Sequence, residues 1–215
     1  QYSYLVRATD ASTGQNDGNL VVDSAAPTGP DTVTFFDDAG DTGSAQLVTT
    51  APWTVQTTGG HNAPRVYATG TYGNNQCVAV RTPALALGSG STLSFWSRNL
   101  FETGYDKGIV QISTNGGSSW QRVEVNYPAS STQASDQCGL PTGTYFTGDS
   151  PTYAQYTADL SPWAGSSAML RFELSTDVSV TDSGWWVDEI RVSSAGTCLT
   201  GTVGPAPVPD GGDGT

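Results

Sequence analysis

The residues here whose type and spacing could do chemistry are carboxylates. Aspartate and glutamate total 20 against 8 lysines and arginines, the net charge is -12, and the single lysine is Lys107. Near the C-terminus, "GWWVDEIRV" alternates like a strand. Counted by twos, Trp186, Ile190 and Val192 share a face, and Asp188 falls among them. A carboxylate on a core face must be neutralised, hydrogen-bonded or bound to a cation. Near the N-terminus, "TVTFFDD" repeats the anomaly: Val33, Phe35 and Asp37 share a face, and Asp38 and Asp41 follow in "DDAGDTG". If the first and last strands lie side by side, Asp37 and Asp188 converge with no lysine close in sequence. Clustered hard oxygen donors suit Ca²⁺. Asp37, Asp38 and Asp188 are therefore expected to hold a structural calcium ion, with Asp41 and Asp106 as further candidates. Turn capping and backbone hydrogen bonding are the alternatives. Glu102 and Asp106, in "FETGYDKG", read as solvated loop residues or as calcium ligands.

Other chemistries find less support. A glycosidase needs two carboxylates about 5 to 10 Å apart across the sugar. Glu102, Asp106, Glu124 and Glu173 are available, but nothing in the sequence pairs them. His61 is the one histidine, and it follows "TTGG" as a loop residue. The sequence has no Gly-x-Ser-x-Gly elbow, no His-Glu-x-x-His helix motif and no phosphate loop. The spacing of Cys77, Cys138 and Cys198 fits no zinc site. Strong negative charge excludes nucleic acid as a partner and disfavours anionic membranes. No apolar run reaches the roughly 18 residues of a membrane helix. Aromatics offer binding instead: there are six Trp and nine Tyr. Tyr105, Trp163 and Trp185 sit beside polar loops and could stack on sugar or anchor a protein. Trp53 and Trp120 lie near turns, while Trp96 and Trp186 read as core.

The elements that must position these groups are strands. "TVTFFDD", "QCVAVRTP", "STLSFWSR", "GIVQIS", "WQRVEVNY", "AMLRFELS" and "GWWVDEIRV" alternate with period two, and no stretch sustains a period of 3.6. "YTADLSPWAG" could hold one helical turn. Antiparallel strands with one wet face give this pattern, and seven or more predict an all-β, two-sheet antiparallel jelly-roll or immunoglobulin-like sandwich. Inward residues are expected to be Leu93 with Phe95, Val110 with Ile112, Val123 with Val125, and Ala168 with Leu170, Phe172 and Leu174. Glu124 and Glu173 face outward. Residues 126 to 151 form a long loop, a place to look for binding specificity. Cys77 and Cys138 lie in the globular part and are expected to pair, leaving Cys198 in a Gly/Pro/Thr-rich tail. Charged residues make only 13% of the chain, and Gly, Ser and Thr are abundant, as in secreted all-β domains. The chain opens at Gln1 with no leader and reads as a mature or excised piece.

Three resemblances add to this. "QISTNGGSSWQRV" resembles the Asp-box hairpin of sialidases, with Asn115 in the Asp place. It occurs once, without a blade-length repeat, so it reads as a strand-turn-strand marker rather than a sign of sialic-acid cleavage. "YSYLVRA" followed by "NLVVD" resembles the last two strands of a fibronectin type III domain. Taken in order, "YDKG", "ISTNGGSSW", "DLSPWAG", "LRF" and "GWWVDEIRV" resemble the MAM-like jelly-roll domain of immune inhibitor A-type secreted bacterial metalloproteases, a module that recurs in choice-of-anchor J proteins. Lys107 and Glu189 depart from the family's Gly and second Asp. The resemblance implies a non-catalytic accessory domain with a structural cation between Asp37 or Asp38 and Asp188.

The expected organisation is thus a fibronectin-like remnant with its linker over residues 1–29, forming a short β-hairpin. A MAM-like jelly roll follows over 30–194, and a linker or tail over 195–215. The expected function is a calcium-stabilised accessory or binding domain, secreted or at the cell surface. Its partners would be polysaccharide, a protein surface or neighbouring domains of its precursor. A glycosidase or lyase on a jelly roll, and a structural spacer, are the alternatives.

Overall fold

A computed structural model describes residues 2–4, 8–15, 23–25, 29–131 and 137–196. Cys198 and the tail beyond residue 196 lie outside the described residues. By its contacts the chain divides into two compact units, residues 31–195 and residues 1–30 with 196–215. In the latter, β1 (Tyr2–Tyr4) pairs antiparallel with β2 (Asp23–Ala25), so β2 begins at the last residue of "NLVVD".

The larger unit is built from β3 (Gly29–Asp37), β4 (Val48–Thr49), β5 (Thr54–Gln56), β6 (Val66–Ala68), β7 (Cys77–Arg81), β8 (Leu85–Ala86) and β9 (Thr92–Leu100). It continues with β10 (Lys107–Ser113), β11 (Gln121–Arg122), β12 (Ala129–Ser131), β13 (Gly143–Tyr145), β14 (Asp149–Asp159), a 3-10 turn (Ser161–Trp163), β15 (Ser167–Ser175) and β16 (Gly184–Gly196). One sheet runs β11-β10-β15-β7-β4, with β8 on β15. The other runs β14-β9-β16-β6-β5, with β3 on β16. The fold is an all-β, two-sheet antiparallel jelly-roll sandwich. Its first long strand lies beside its last. Among the described residues no helix is long and apolar enough to cross a membrane.

Alternation explains the core. Leu93 and Phe95 of β9, Val110 and Ile112 of β10, and Ala168, Leu170, Phe172 and Leu174 of β15 are all buried. Val110 lies opposite Phe172 and Phe172 opposite Val80, which stacks apolar residues across three strands of one sheet. Phe95 meets Phe172 from the other sheet, edge to face, with centroids 4.9 Å apart. Each such large side chain stabilises the fold by about 1.5–3 kcal/mol through the water it excludes. Val123 and Val125 are buried too, but only Gln121–Arg122 of "WQRVEVNY" pairs as a strand. Beyond it the Tyr127 hydroxyl takes over, donating to the Val123 carbonyl at 2.8 Å and accepting from the Val110 amide at 3.1 Å.

The last strand breaks the count by twos. Asp188 faces Trp96 and Arg191 faces Ser94, so β16 spends three residues where β9 spends two. Glu189 takes the left-handed backbone, φ 47°, that this bulge requires. Residues before the bulge therefore have the opposite parity to that read from the sequence. Trp185 and Val187 point into the core with Ile190 and Val192, while Trp186 and Asp188 point out of it. Trp185, expected as a binding platform, is fully buried among Trp53, Phe101, Phe146 and Phe172. Its indole N–H donates to Ser97 Oγ at 2.7 Å. Gly108 of "YDKG" leaves room for that ring, because a Cβ there would sit 2.9 Å from it. Trp53, taken as a turn aromatic, is also core. Trp96 and Trp186, taken as core, lie on the outer side of their sheet: Arg98 stacks 3.8 Å over Trp186.

Described residues of the long segment, Tyr127 and 137–146, cover part of the outer face of the other sheet. Leu140 and Tyr145 pack on Ile109, with Tyr127 and Cys138 at their edge. A Cys77–Cys138 disulfide fastens this cover to β7. Beneath it Glu173 points outward as expected, yet is only 3% exposed, because the cover excludes water and Arg171 pairs with it at 2.6 Å. Lys107 is likewise buried, donating to the Leu140 carbonyl and lying 5.4 Å from the Tyr145 ring. Replacing Cys138 with Ser should lower stability by about 2–4 kcal/mol, since the bridge closes a long loop in the unfolded chain. Denaturant titration checks the loss, and limited proteolysis should then cut within 126–146 before any strand of the two large sheets.

Candidate metal centre

The pairing of β3 with β16 brings the two carboxylate groups together, but not the pair first expected. Asp38, Asp41, Asp188 and Glu189 line one pocket of about 190 Å³, with Phe36 and Asn62 on its wall. Local turns aim them. The Asp38 carboxylate accepts from the amide and hydroxyl of Thr42 at 3.0 and 2.6 Å, closing the 38–42 turn. Asp41 accepts from the Arg65 amide at 3.0 Å. Asp188 accepts from the His61 and Glu189 amides, each at 2.8 Å. Glu189 accepts from the Asn62 side-chain amide at 2.6 Å and meets His61 Nδ1 at 3.0 Å. The His61 ring is stacked 3.7 Å above Trp96, so the histidine read as a plain loop residue fixes the pocket's rim.

Burial pushes the Asp188 carboxyl above its ordinary value despite its two amide donors, and the charges of Glu189 and Asp41 add to the push. At Asp38 burial acts the same way, but the hydrogen bonds from Thr42 and from the Asp38 and Gly40 amides together outweigh it and the carboxyl falls. Repulsion between unneutralised carboxylates is what a divalent cation relieves. No three of these carboxylates already have oxygens within 4.8 Å of one another. The donor chemistry fits Ca²⁺, with part of its shell left to water or to inward movement of the side chains.

Asp37 is placed differently from expectation. It faces the interior, 2% exposed, and does not line the pocket. Its Oδ1 accepts from the Ala39 amide. Its Oδ2 accepts from the Gln46 and Leu47 amides and the Tyr67 hydroxyl. These bonds make it an anchor for the 38–47 loop, the hydrogen-bonding alternative to ligation. Asp188 lies on the other side of the sheet because of the bulge, so Asp37 and Asp188 do not converge.

Asp106 is not a solvated loop residue. It is fully buried, and one oxygen each from Glu102, Asp106 and Asp177 lies within 4.8 Å of the others. Asp177 escaped the sequence reading because "STDVSV" carries no period; its position just past β15 is set by the tertiary fold. Tyr105 remains exposed at 43%. Trp163 is partly buried against the core, its indole N–H donating to Gln121 at 3.3 Å. Neither lines the open recess of about 610 Å³, where Thr92, Ser94, Glu124, Asn126, Asp159 and Ser161 present polar groups. "STNGGSSW" is a closed hairpin network. Ser113 Oγ accepts from the Gly117 amide at 2.9 Å, Asn115 Oδ1 accepts from the Ser119 amide at 3.0 Å, and Trp120 folds back over Gly117.

No family model matches the chain. Bacillopeptidase F of Bacillus subtilis (strain 168) is 28% identical over 149 residues, covering 66% of this chain and 9% of that protein. The chain thus spans less than a tenth of the length of the curated relative it matches. Among solved structures, the K3 cleaved adhesin domain of Lys-gingipain from Porphyromonas gingivalis w83 aligns with a TM-score of 0.49 and 18% identity. That match covers 77% of this chain and 99% of the other. The CBM22-1 xylan-binding domain of Paenibacillus barcinonensis Xyn10C also aligns with a TM-score of 0.49, at 8% identity, covering 79% and 97%.

Two outcomes test this geometry. Asp37→Ala should destabilise the domain by about 2–4 kcal/mol in denaturant titrations, equally with and without Ca²⁺, because it removes a buried hydrogen-bond hub. Burial raises the carboxyls of Asp37, Asp106 and Asp188, so the folded state keeps protons at pH values where the unfolded chain has lost them. That stability is complete below the ordinary carboxylate pKa and is lost as pH rises through the folded values. Chelated protein should therefore melt lower as pH is raised from just above the ordinary carboxylate pKa towards neutrality.

Proposed function

We propose that this chain is a non-catalytic, calcium-stabilised accessory module of a secreted or cell-surface protein, contacting polysaccharide or protein. The observation that carries the reading is the pocket joining Asp38 and Asp41 to Asp188 and Glu189. Carboxylates drawn from the two ends of one domain, three steadied by backbone amides and Glu189 by the side chains of His61 and Asn62, suit a cation that ties the ends together. Extracellular modules bind Ca²⁺ at about 10⁻⁴–10⁻³ M, within reach of a site part-filled by water. The Cys77–Cys138 bridge points to the same oxidising compartment.

The likeness to a short part of Bacillopeptidase F agrees with a module carried by a larger protein, as does the MAM-like order of motifs. On this reading the N-terminal hairpin is the end of a fibronectin type III-like domain. For ligand contact, the open recess offers the hydroxyl, amide and carboxylate groups that pair with sugar hydroxyls. Of the carboxylates open to the enzyme alternative, Glu173 is paired with Arg171 and does not line the recess that Glu124 lines.

Calorimetry of chelated and Ca²⁺-loaded protein tests the stabilising role. At 100 times Kd, a single site adds about 2.7 kcal/mol, or roughly 5–10 °C in Tm for a domain of this size. Asp188→Asn should remove most of that rise. An unchanged Tm together with no titration heat would overturn the calcium reading. Affinity electrophoresis against a polysaccharide series, with Glu124→Ala and Asn126→Ala as controls, tests the recess. Retardation that both variants preserve would place the contact elsewhere.

A further inference from the structure

We propose a second divalent-cation site, formed by Glu102, Asp106 and Asp177, that ties the turn before β10 to the segment leaving β15. It is independent of the Asp38–Asp188 pocket. One oxygen from each residue lies within 4.8 Å of the others, which is the separation two Ca²⁺–oxygen bonds of about 2.4 Å can span.

The cluster is also missing something. Asp106 is fully buried, and its Oδ1 accepts the Asp177 amide at 2.9 Å, but its Oδ2 has no hydrogen-bond partner. Glu102 is only partly buried, but its Oε2 is shielded from water and unpartnered. Two orphan carboxylate oxygens beside a third carboxylate are costly to bury unless a cation accepts them. The Tyr72 hydroxyl lies beside Asp106 and pulls its carboxyl down, though less than burial raises it, and it does not satisfy Oδ2. The charge of Asp182 adds to the repulsion on Asp106. Lys107, adjacent in sequence, donates instead to the Leu140 carbonyl under the cover segment.

The surroundings are already built for ligation. The Asp106 amide donates to the Glu102 carbonyl at 3.3 Å, curling the turn so that both side chains serve one point. Asp177 accepts from the Ser179 amide at 2.9 Å and donates its own amide to Asp106, so the exit of β15 is held in place. The donors are all hard oxygens, two of them nine-tenths buried or more, which selects Ca²⁺ over softer metals.

Isothermal titration of the 215-residue chain with Ca²⁺ alone tests this. Two binding events are expected in the wild type. Glu102→Gln and Asp177→Asn should each remove one and leave the other, while Asp38→Asn and Asp188→Asn should remove the complementary one. A single event lost only in the Asp38 and Asp188 variants would overturn this site and leave the first standing. A single event lost only in the Glu102 and Asp177 variants would do the reverse. A second readout needs no variant: crystals of the wild type grown with Ca²⁺ should show a density peak among the three carboxylates. Crystals with no peak there, or with only water, would contradict the proposal.

Discussion

The bulge at Asp188–Glu189 is the constraint on which the arrangement of this domain depends. Three residues of β16 stand against two of β9, and the phase of the strand flips between its halves. Without the flip, one run of alternate residues would have to carry Trp186, Asp188 and Ile190 to the same side. With it, Trp185 enters the core and Asp188 leaves it. Trp185 then organises the aromatic centre, touching rings from the β9–β10 and β13–β14 connections and from β15 as well as Trp53. Asp188 is delivered to the outer edge, where the 57–63 segment can cap it through the His61 amide. Glu189 occupies the left-handed position at a steric cost of about 1–2 kcal/mol. Its carboxylate is held there by His61 and Asn62. A strained non-glycine residue kept at a pocket's edge is the kind of local exception that tends to mark function.

Much of this was legible in the sequence, for a simple reason. A strand with one wet face writes its burial at every second residue. Leu93 and Phe95, Val110 and Ile112, and the whole of β15 were therefore readable without coordinates. The neighbouring placement of the first and last strands followed from the jelly-roll expectation, and it brought Asp38 and Asp41 to Asp188. What periodicity cannot show is an interruption of itself. The bulge inverted the parity of Trp185 and Trp186, making a core ring look like a platform and an outer one look like core. Asp37 was misjudged differently. Its burial was read correctly, but a buried carboxylate is satisfied equally by a cation or by amide and hydroxyl donors. The 46–47 amides and Tyr67 that supply them lie 9 to 30 residues away.

The two acidic sites differ in how they were hidden. The pocket at Asp38 and Asp188 joins an exception within a strand, Asp188, to a carboxylate just past the end of another, Asp38. The cluster at Glu102, Asp106 and Asp177 uses residues at strand ends, where a carboxylate is the usual solvated type. Only the tertiary fold shows that Asp106 is sealed from water and that Asp177 meets it. The cover segment 126–146 follows the same logic. Its length advertised a function, and its described residues have one in the structure: Leu140 and Tyr145 shield Ile109 on the outer face of a sheet.

The central claim is that a cation closes the two ends of this domain onto each other through the carboxylates beside the bulge. Native-state hydrogen exchange, measured residue by residue in chelator and in Ca²⁺, tests it most directly. The account predicts that Ca²⁺ slows exchange at the His61, Thr42 and Glu189 amides, the donors that steady those carboxylates. Amides in the middle of β10 and β15 should change only as far as global stability rises. Slowing spread evenly over the domain, with nothing extra at those three amides, would contradict it.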